Sequence, residues 1–221
     1  MNSKQKTALI LNIIIFIFMV VGTIMTFAEI KFVDVTIHEH GLKVLKFFTV
    51  QSNLFGGIVS LIYVIYLLRQ SKTGKPIPHA LNVIKFIATI DLVITFLVVA
   101  LFLGFIIEDG YFSVFVNANL FFHLLIPLLS FVSFTLYEEK PNFKYRYVFY
   151  GIIHLIAYSI FYLIVVLTHM ENGKVAIQYD WYAFAQLGLP IALVIDAILM
   201  LMGFLIATLI WKIHQLIEEN K

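Results

Sequence analysis

Three residues able to do chemistry together stand at the head of one apolar run: Thr49, Ser52 and Asn53 in the stretch Phe47 to Phe55, FFTVQSNLF, which continues without charge to Leu68. A threonine hydroxyl is a weak nucleophile until an imidazole takes its proton. The histidine best placed to do so is His123, in FFHLLIPLL. Thr49, Ser52, Asn53, Gly56, Gly57 and Ser60 recur at i, i+3, i+4, i+7, i+8 and i+11, one small and polar face of a helix. Such a face serves close helix contact as well as chemistry. Asn119, His123, Pro127 and Ser130 form a second single face, and Pro127, lacking a backbone donor, is expected to free the carbonyl of residue 123. The chemistry these residues suit is attack by Thr49, with His123 as base and then acid, and with Ser52, Asn53 or Asn119 donating to the developing oxyanion.

The elements that must position them follow from composition. The 221 residues are 62% hydrophobic and only 13% charged, against about a quarter charged in soluble domains. About 20 apolar residues cross a bilayer as a helix, and six such runs are present, at about 7–28, 46–68, 81–107, 117–136, 145–168 and 183–211. No connection is long enough for another domain. The expected fold is an all-α membrane protein, a single bundle of six transmembrane helices over 1–221.

Lys4 and Lys6 precede a first run longer than a signal-peptide core, so it is expected to stay as a helix. The N-terminus, the 69–80 loop, the 137–146 segment and the C-terminal tail hold most of the Lys and Arg, including Arg69, Lys72, Lys75, Lys140, Lys144 and Arg146. That asymmetry predicts cytoplasmic N- and C-termini. The alternate loops, with Glu108, Asp109, Glu171 and Asp180, then lie outside. Thr49 and His123 enter the membrane from that side, about three and six residues into their spans. At 1.5 Å per residue their depths differ by about 5 Å, so both belong to the outer half.

Other polar residues need places too. His38-Glu39-His40 reads as a solvated loop rather than a metal site. Lys85 is expected to snorkel to the headgroups. Asp91, His154 and Asp196 fall near mid-bilayer and can form one supporting polar layer. Tyr111, Tyr145, Tyr147, Tyr179, Trp181, Tyr182 and Trp211 suit an interfacial aromatic belt. There is no cysteine, hence no disulfide or thiolate chemistry, and no basic cluster that suggests nucleic acid. Alternatives to a hydrolase are a small proton- or cation-coupled transporter using Asp91, His154 and Asp196, a non-enzymatic lipid-binding protein, and a metalloenzyme resembling the membrane ceramidases. The last ranks below the hydrolase, because its histidines lie on separate helices at different depths.

FFTVQSNLF, with HLLIP two spans later and six spans in all, resembles the bacterial Pr-six-Pr integral membrane proteins. These in turn resemble the androgen-induced-gene family, six-pass hydrolases that cleave fatty acid esters of hydroxy fatty acids with a threonine and a histidine. The resemblance implies a cofactor-free hydrolase of lipid esters in the bacterial plasma membrane, with Thr49 and His123 in those two roles and membrane lipids as its surroundings. Family members usually carry a bulky residue soon after the threonine, where this chain has Val50-Gln51-Ser52.

Overall fold

In the computed structural model, which describes residues 1–34, 40–107, 109–140 and 143–219, six helices are long and apolar enough to cross a membrane. They are α1 (Ser3–Phe27), α2 (Phe48–Thr73), α3 (His79–Ile106), α4 (Leu120–Tyr137), α5 (Tyr145–Thr168) and α6 (Leu189–Ile217). The all-α six-helix membrane fold is therefore as the apolar runs predict. A two-stranded hairpin, β1 (Met170–Glu171) and β2 (Lys174–Val175), follows α5. His38, Glu39 and Glu108 lie outside the described residues.

Of the boundaries that differ from the sequence expectation, two have a backbone reason. Helix α4 starts after residue 117 because Asn117 has a positive φ of 55°, which an α-helix cannot hold. Helix α6 starts at Leu189 rather than near 183, because Ala183 and Gly188 also take positive φ, 57° and 96°. The intervening residues Ala185–Leu187 form a single 3₁₀ turn. Gln186 thus belongs to the connector, and its amide and side-chain nitrogens donate to Asp180.

Helix α3 is the axis of the bundle. On one side Leu92 joins Ile15 and Met19 of α1, Val50 of α2, and Phe122 and Ile126 of α4. On the other, Phe86, Ile90 and Ile94 pack with Leu155 of α5 and with Ala207 and Ile210 of α6. Lipid tails are as apolar as leucine, so association depends on close packing and hydrogen bonds rather than on hydrophobic burial. The polar face of α2 supplies both. A Cβ on Gly57 would lie 2.5 Å from Cβ and Cγ of Met19, and one on Gly56 would lie 2.6 Å from Cδ1 of Leu92.

The obstacle at Gly57 is the base of a side chain and the one at Gly56 is a methyl tip. Gly57→Ala is therefore expected to cost about 1–3 kcal/mol and to lower the thermal midpoint in detergent more than Gly56→Ala. Equal midpoints for the two variants would contradict this packing.

At the end of the bundle where α1 begins and α4 ends, Lys85 departs from expectation. Instead of reaching the headgroups it is fully buried, with Nζ 2.5 Å from Ser60 Oγ and 4.0 Å from Glu138 Oε1. Glu138 Oε1 also accepts from Asn12 Nδ2 and Ser133 Oγ. Three helices, α1, α3 and α4, thus share one buried carboxylate, and Ser60 of α2 joins them through Lys85.

Candidate active site

Thr49 is the second residue of α2, and its backbone is held on both sides. The residue before the helix, Phe47, has no side-chain acceptor to cap the first turn, yet open amides at a helix start need partners. The Phe48 amide finds one far along the chain, donating to the Tyr182 hydroxyl at 2.8 Å. The Thr49 carbonyl accepts from Ser52 Oγ at 3.0 Å and Asn53 Nδ2 at 2.8 Å. Among the described residues neither the Thr49 hydroxyl nor its amide has a hydrogen-bond partner. The backbone is fixed and the side chain is free.

His123 sits on a π-helical turn, Leu120–Leu125. The wider register has a cause two residues past that turn. Ile126 N–H bonds the Phe121 carbonyl, five residues back, so the Phe122 carbonyl would pair with residue 127, a proline without N–H. The freed carbonyl is thus that of Phe122, one residue earlier than an α register predicts, and Asn53 Nδ2 takes it at 3.0 Å. His123 Nδ1 lies 2.6 Å from the Val114 carbonyl. A carbonyl only accepts, so Nδ1 carries the proton and Nε2 of the neutral ring is the acceptor. That is the tautomer a general base needs.

Thr49 and His123 line the same cavity, of about 770 Å³, within the usual range for ligand sites. No hydrogen bond joins the two among the described residues. Met25, Val44, Phe47, Val50, Leu103 and Phe122 give it apolar walls, while Glu29, Lys31, His40 and Gln178 supply polar groups. Lys31 and His40 approach Glu29 at 3.5 and 3.8 Å. Asn117 fixes the segment above: its Oδ1 accepts from the amides of Phe32 and Val33, and its Nδ2 donates to the Val33 carbonyl.

The three oxyanion candidates separate. Asn119 lines the cavity, whereas Ser52 and Asn53 do not. Ser52 is fully buried, bonded to the Thr49 carbonyl and, at 3.0 Å, to Thr95 Oγ1 of α3. Asn53 spends its amide hydrogens on the Thr49 and Phe122 carbonyls. Asn53 joins the backbone carrying Thr49 to the turn carrying His123, Ser52 ties the same backbone to α3, and neither has a donor left for substrate. The unbonded Thr49 amide, at the positive end of a 26-residue helix, is a donor that residue-type reasoning did not include.

Asp91, His154 and Asp196 divide between two hydrogen-bonded pairings. Asp91 Oδ2 bonds His154 Nδ1 at 2.7 Å, while Asp196 pairs with Ser159 of α5. The His154 ring stacks on Phe48, centroids 5.6 Å apart, and lies 5.4 Å from Phe55. The Asp91–His154 pair thereby bears on the residue next to Thr49, and Asp196 bears on neither.

Trp181 and Tyr182, whose place near a span end suits an interfacial belt, are also part of the site's frame. Trp181 Nε1 donates to the Tyr158 hydroxyl at 3.0 Å, and that hydroxyl donates to the Lys46 carbonyl at 2.6 Å. Tyr158 and Tyr182 hydroxyls lie 3.2 Å apart. Desolvation, with the neighbouring Tyr158 phenol, pushes Tyr182 well above the ordinary tyrosine range although the residue is only partly buried, so it remains protonated at neutral pH. Compared with known proteins, the chain matches no family model, no curated protein and no solved structure.

Proposed function

We propose that this protein is an intramembrane hydrolase of lipid esters, with Thr49 as nucleophile and His123 as general base and acid. The observation that carries the reading is the shared cavity: a threonine with a free hydroxyl and a histidine with an accepting Nε2 line one largely apolar space. An amphiphile with an ester, fatty acid esters of hydroxy fatty acids among them, suits such walls and such a polar rim. The resemblance of FFTVQSNLF and HLLIP to the Pr-six-Pr and androgen-induced-gene families supports the same roles, and with the positive-inside reading it puts the site in the outer half of a bacterial plasma membrane.

In this mechanism His123 Nε2 takes the Thr49 proton as Oγ1 adds to the acyl carbonyl. The tetrahedral oxyanion is met by the Thr49 amide and the Asn119 side chain. Collapse expels the alkoxide, which receives the proton from His123, and leaves an acyl-threonine. A water, deprotonated by His123, then adds to that ester. The second collapse releases the fatty acid and returns the proton to Thr49.

The test is labelling of the purified protein by a long-chain fluorophosphonate. Wild type is expected to react, and Thr49→Ala and His123→Ala each to lose the reaction while eluting as the same folded species. Undiminished labelling in both variants would remove the proposal.

A further inference from the structure

The first turn of α2 carries an unusual division of labour. Of its leading amides, Phe48 is capped by a side chain 134 positions away in sequence, and Thr49 has no partner among the described residues. The cap belongs to a braced connector between α5 and α6. Asp180, fully buried, accepts from the Tyr162 hydroxyl and from both nitrogens of Gln186, which fixes the turn bearing Trp181 and Tyr182. The same turn reaches the residue before Phe47 through Tyr158, whose hydroxyl bonds the Lys46 carbonyl. Both sides of Phe47 are therefore tied to a distant element before α2 begins.

We propose that Tyr182 is a positioning residue for Thr49: by accepting the Phe48 amide, its hydroxyl fixes the first turn of α2 so that the Thr49 hydroxyl and amide both address the cavity. Phe47 offers no cap of its own, so without Tyr182 the Phe48 amide has no acceptor in the described structure and the turn frays at its first residue. Thr49 is the next residue. A nucleophile one position from a fraying helix end loses its geometry before it loses its fold, and misplacement by about 1 Å is enough to slow an enzyme. The proposal rests on the reading of Thr49 as nucleophile.

The experiment is fluorophosphonate labelling of full-length Tyr182→Phe, followed over probe concentration, together with amide hydrogen exchange of the segment 47–51. Loss of one hydrogen bond is expected to lower the limiting labelling rate by about threefold to tenfold. The half-saturating probe concentration should change little, because Tyr182, itself part of the cavity wall, loses only its hydroxyl, and the final stoichiometry should not change, because the folded fraction does not. Exchange over 47–51 should accelerate while α3 stays as in wild type. Tyr158→Phe, which releases the Lys46 carbonyl, Trp181 Nε1 and the Tyr182 hydroxyl but leaves Tyr182 to accept the Phe48 amide, should shift both readouts less in the same direction. A Tyr182→Phe protein that labels at the wild-type limiting rate, or exchanges 47–51 at the wild-type rate, overturns the proposal alone. A loss confined to stoichiometry marks a folding defect and also overturns it. Failure of wild type to label at Thr49 brings down the hydrolase reading, and the role of Tyr182 with it.

Discussion

His123→Ala is expected to slow hydrolysis of a long-chain ester by a factor of about 10²–10⁴, the range for loss of a positioned general acid and base. The size follows from the use of one imidazole in both halves of the reaction: it removes the Thr49 proton, protonates the leaving alkoxide, and then activates water. Among the described residues no other imidazole lines the cavity beside Thr49 except His40, which lies 3.8 Å from Glu29 at the rim. His123→Asn is the sharper variant. It can keep a donor toward the Val114 carbonyl while offering no basic nitrogen, so its loss should be nearly as large as that of alanine. Progress curves in detergent micelles measure this, and hydrolysis by His123→Asn at more than about a tenth of the wild-type rate would deny His123 its role.

The second large effect concerns stability and is independent of catalysis. Lys85→Met is expected to cost about 3–5 kcal/mol, because it leaves the Glu138 carboxylate buried without its cation. Glu138→Gln alone has the mirror defect at Lys85. The double variant Lys85→Met/Glu138→Gln removes both charges and keeps an acceptor for Asn12 Nδ2 and Ser133 Oγ, so it should recover much of the loss. Denaturant or thermal unfolding of the four proteins in one detergent gives the coupling. Additive losses would mean that the 4.0 Å approach of Lys85 to Glu138 contributes nothing.

The contrast between these two sites explains what the sequence could convey. Six apolar runs separated by charged turns define six helices almost by length alone, and strict helical spacing marks the polar face of α2 before any contact is known. Thr49 and His123 could be paired because both stand within two turns of the same end of their helices, where depth is simple arithmetic. Lys85 has the same local signature as a snorkelling lysine. Its burial depends on Glu138, which follows α4 in a segment that reads as a charged loop and instead folds back among α1, α2 and α3.

Tyr182 is hidden for a similar reason. An aromatic near the end of a span fits a membrane interface equally well, and only the path of the α5–α6 connector, set by the positive φ of Ala183 and Gly188, brings it to α2. The spacing of Asp91, His154 and Asp196 gives depth but not azimuth, so it could not separate the pair that supports Phe48 from the pair formed with Ser159. The shift of register at Pro127 is legible only in part: a proline announces a freed carbonyl, and the π turn decides that it is the one at Phe122.

The most direct measurement is the site of covalent attachment. After reaction with the long-chain fluorophosphonate, tryptic cleavage at Lys46 and Arg69 gives a peptide spanning residues 47–69, whose aliphatic hydroxyls are those of Thr49, Ser52 and Ser60. Fragment-ion mass spectrometry of that peptide is predicted to place a single adduct on Thr49, absent from His123→Ala. An adduct on Ser52 or Ser60, on a residue outside this peptide, or one that persists at Thr49 without His123, would contradict a threonine nucleophile activated by His123.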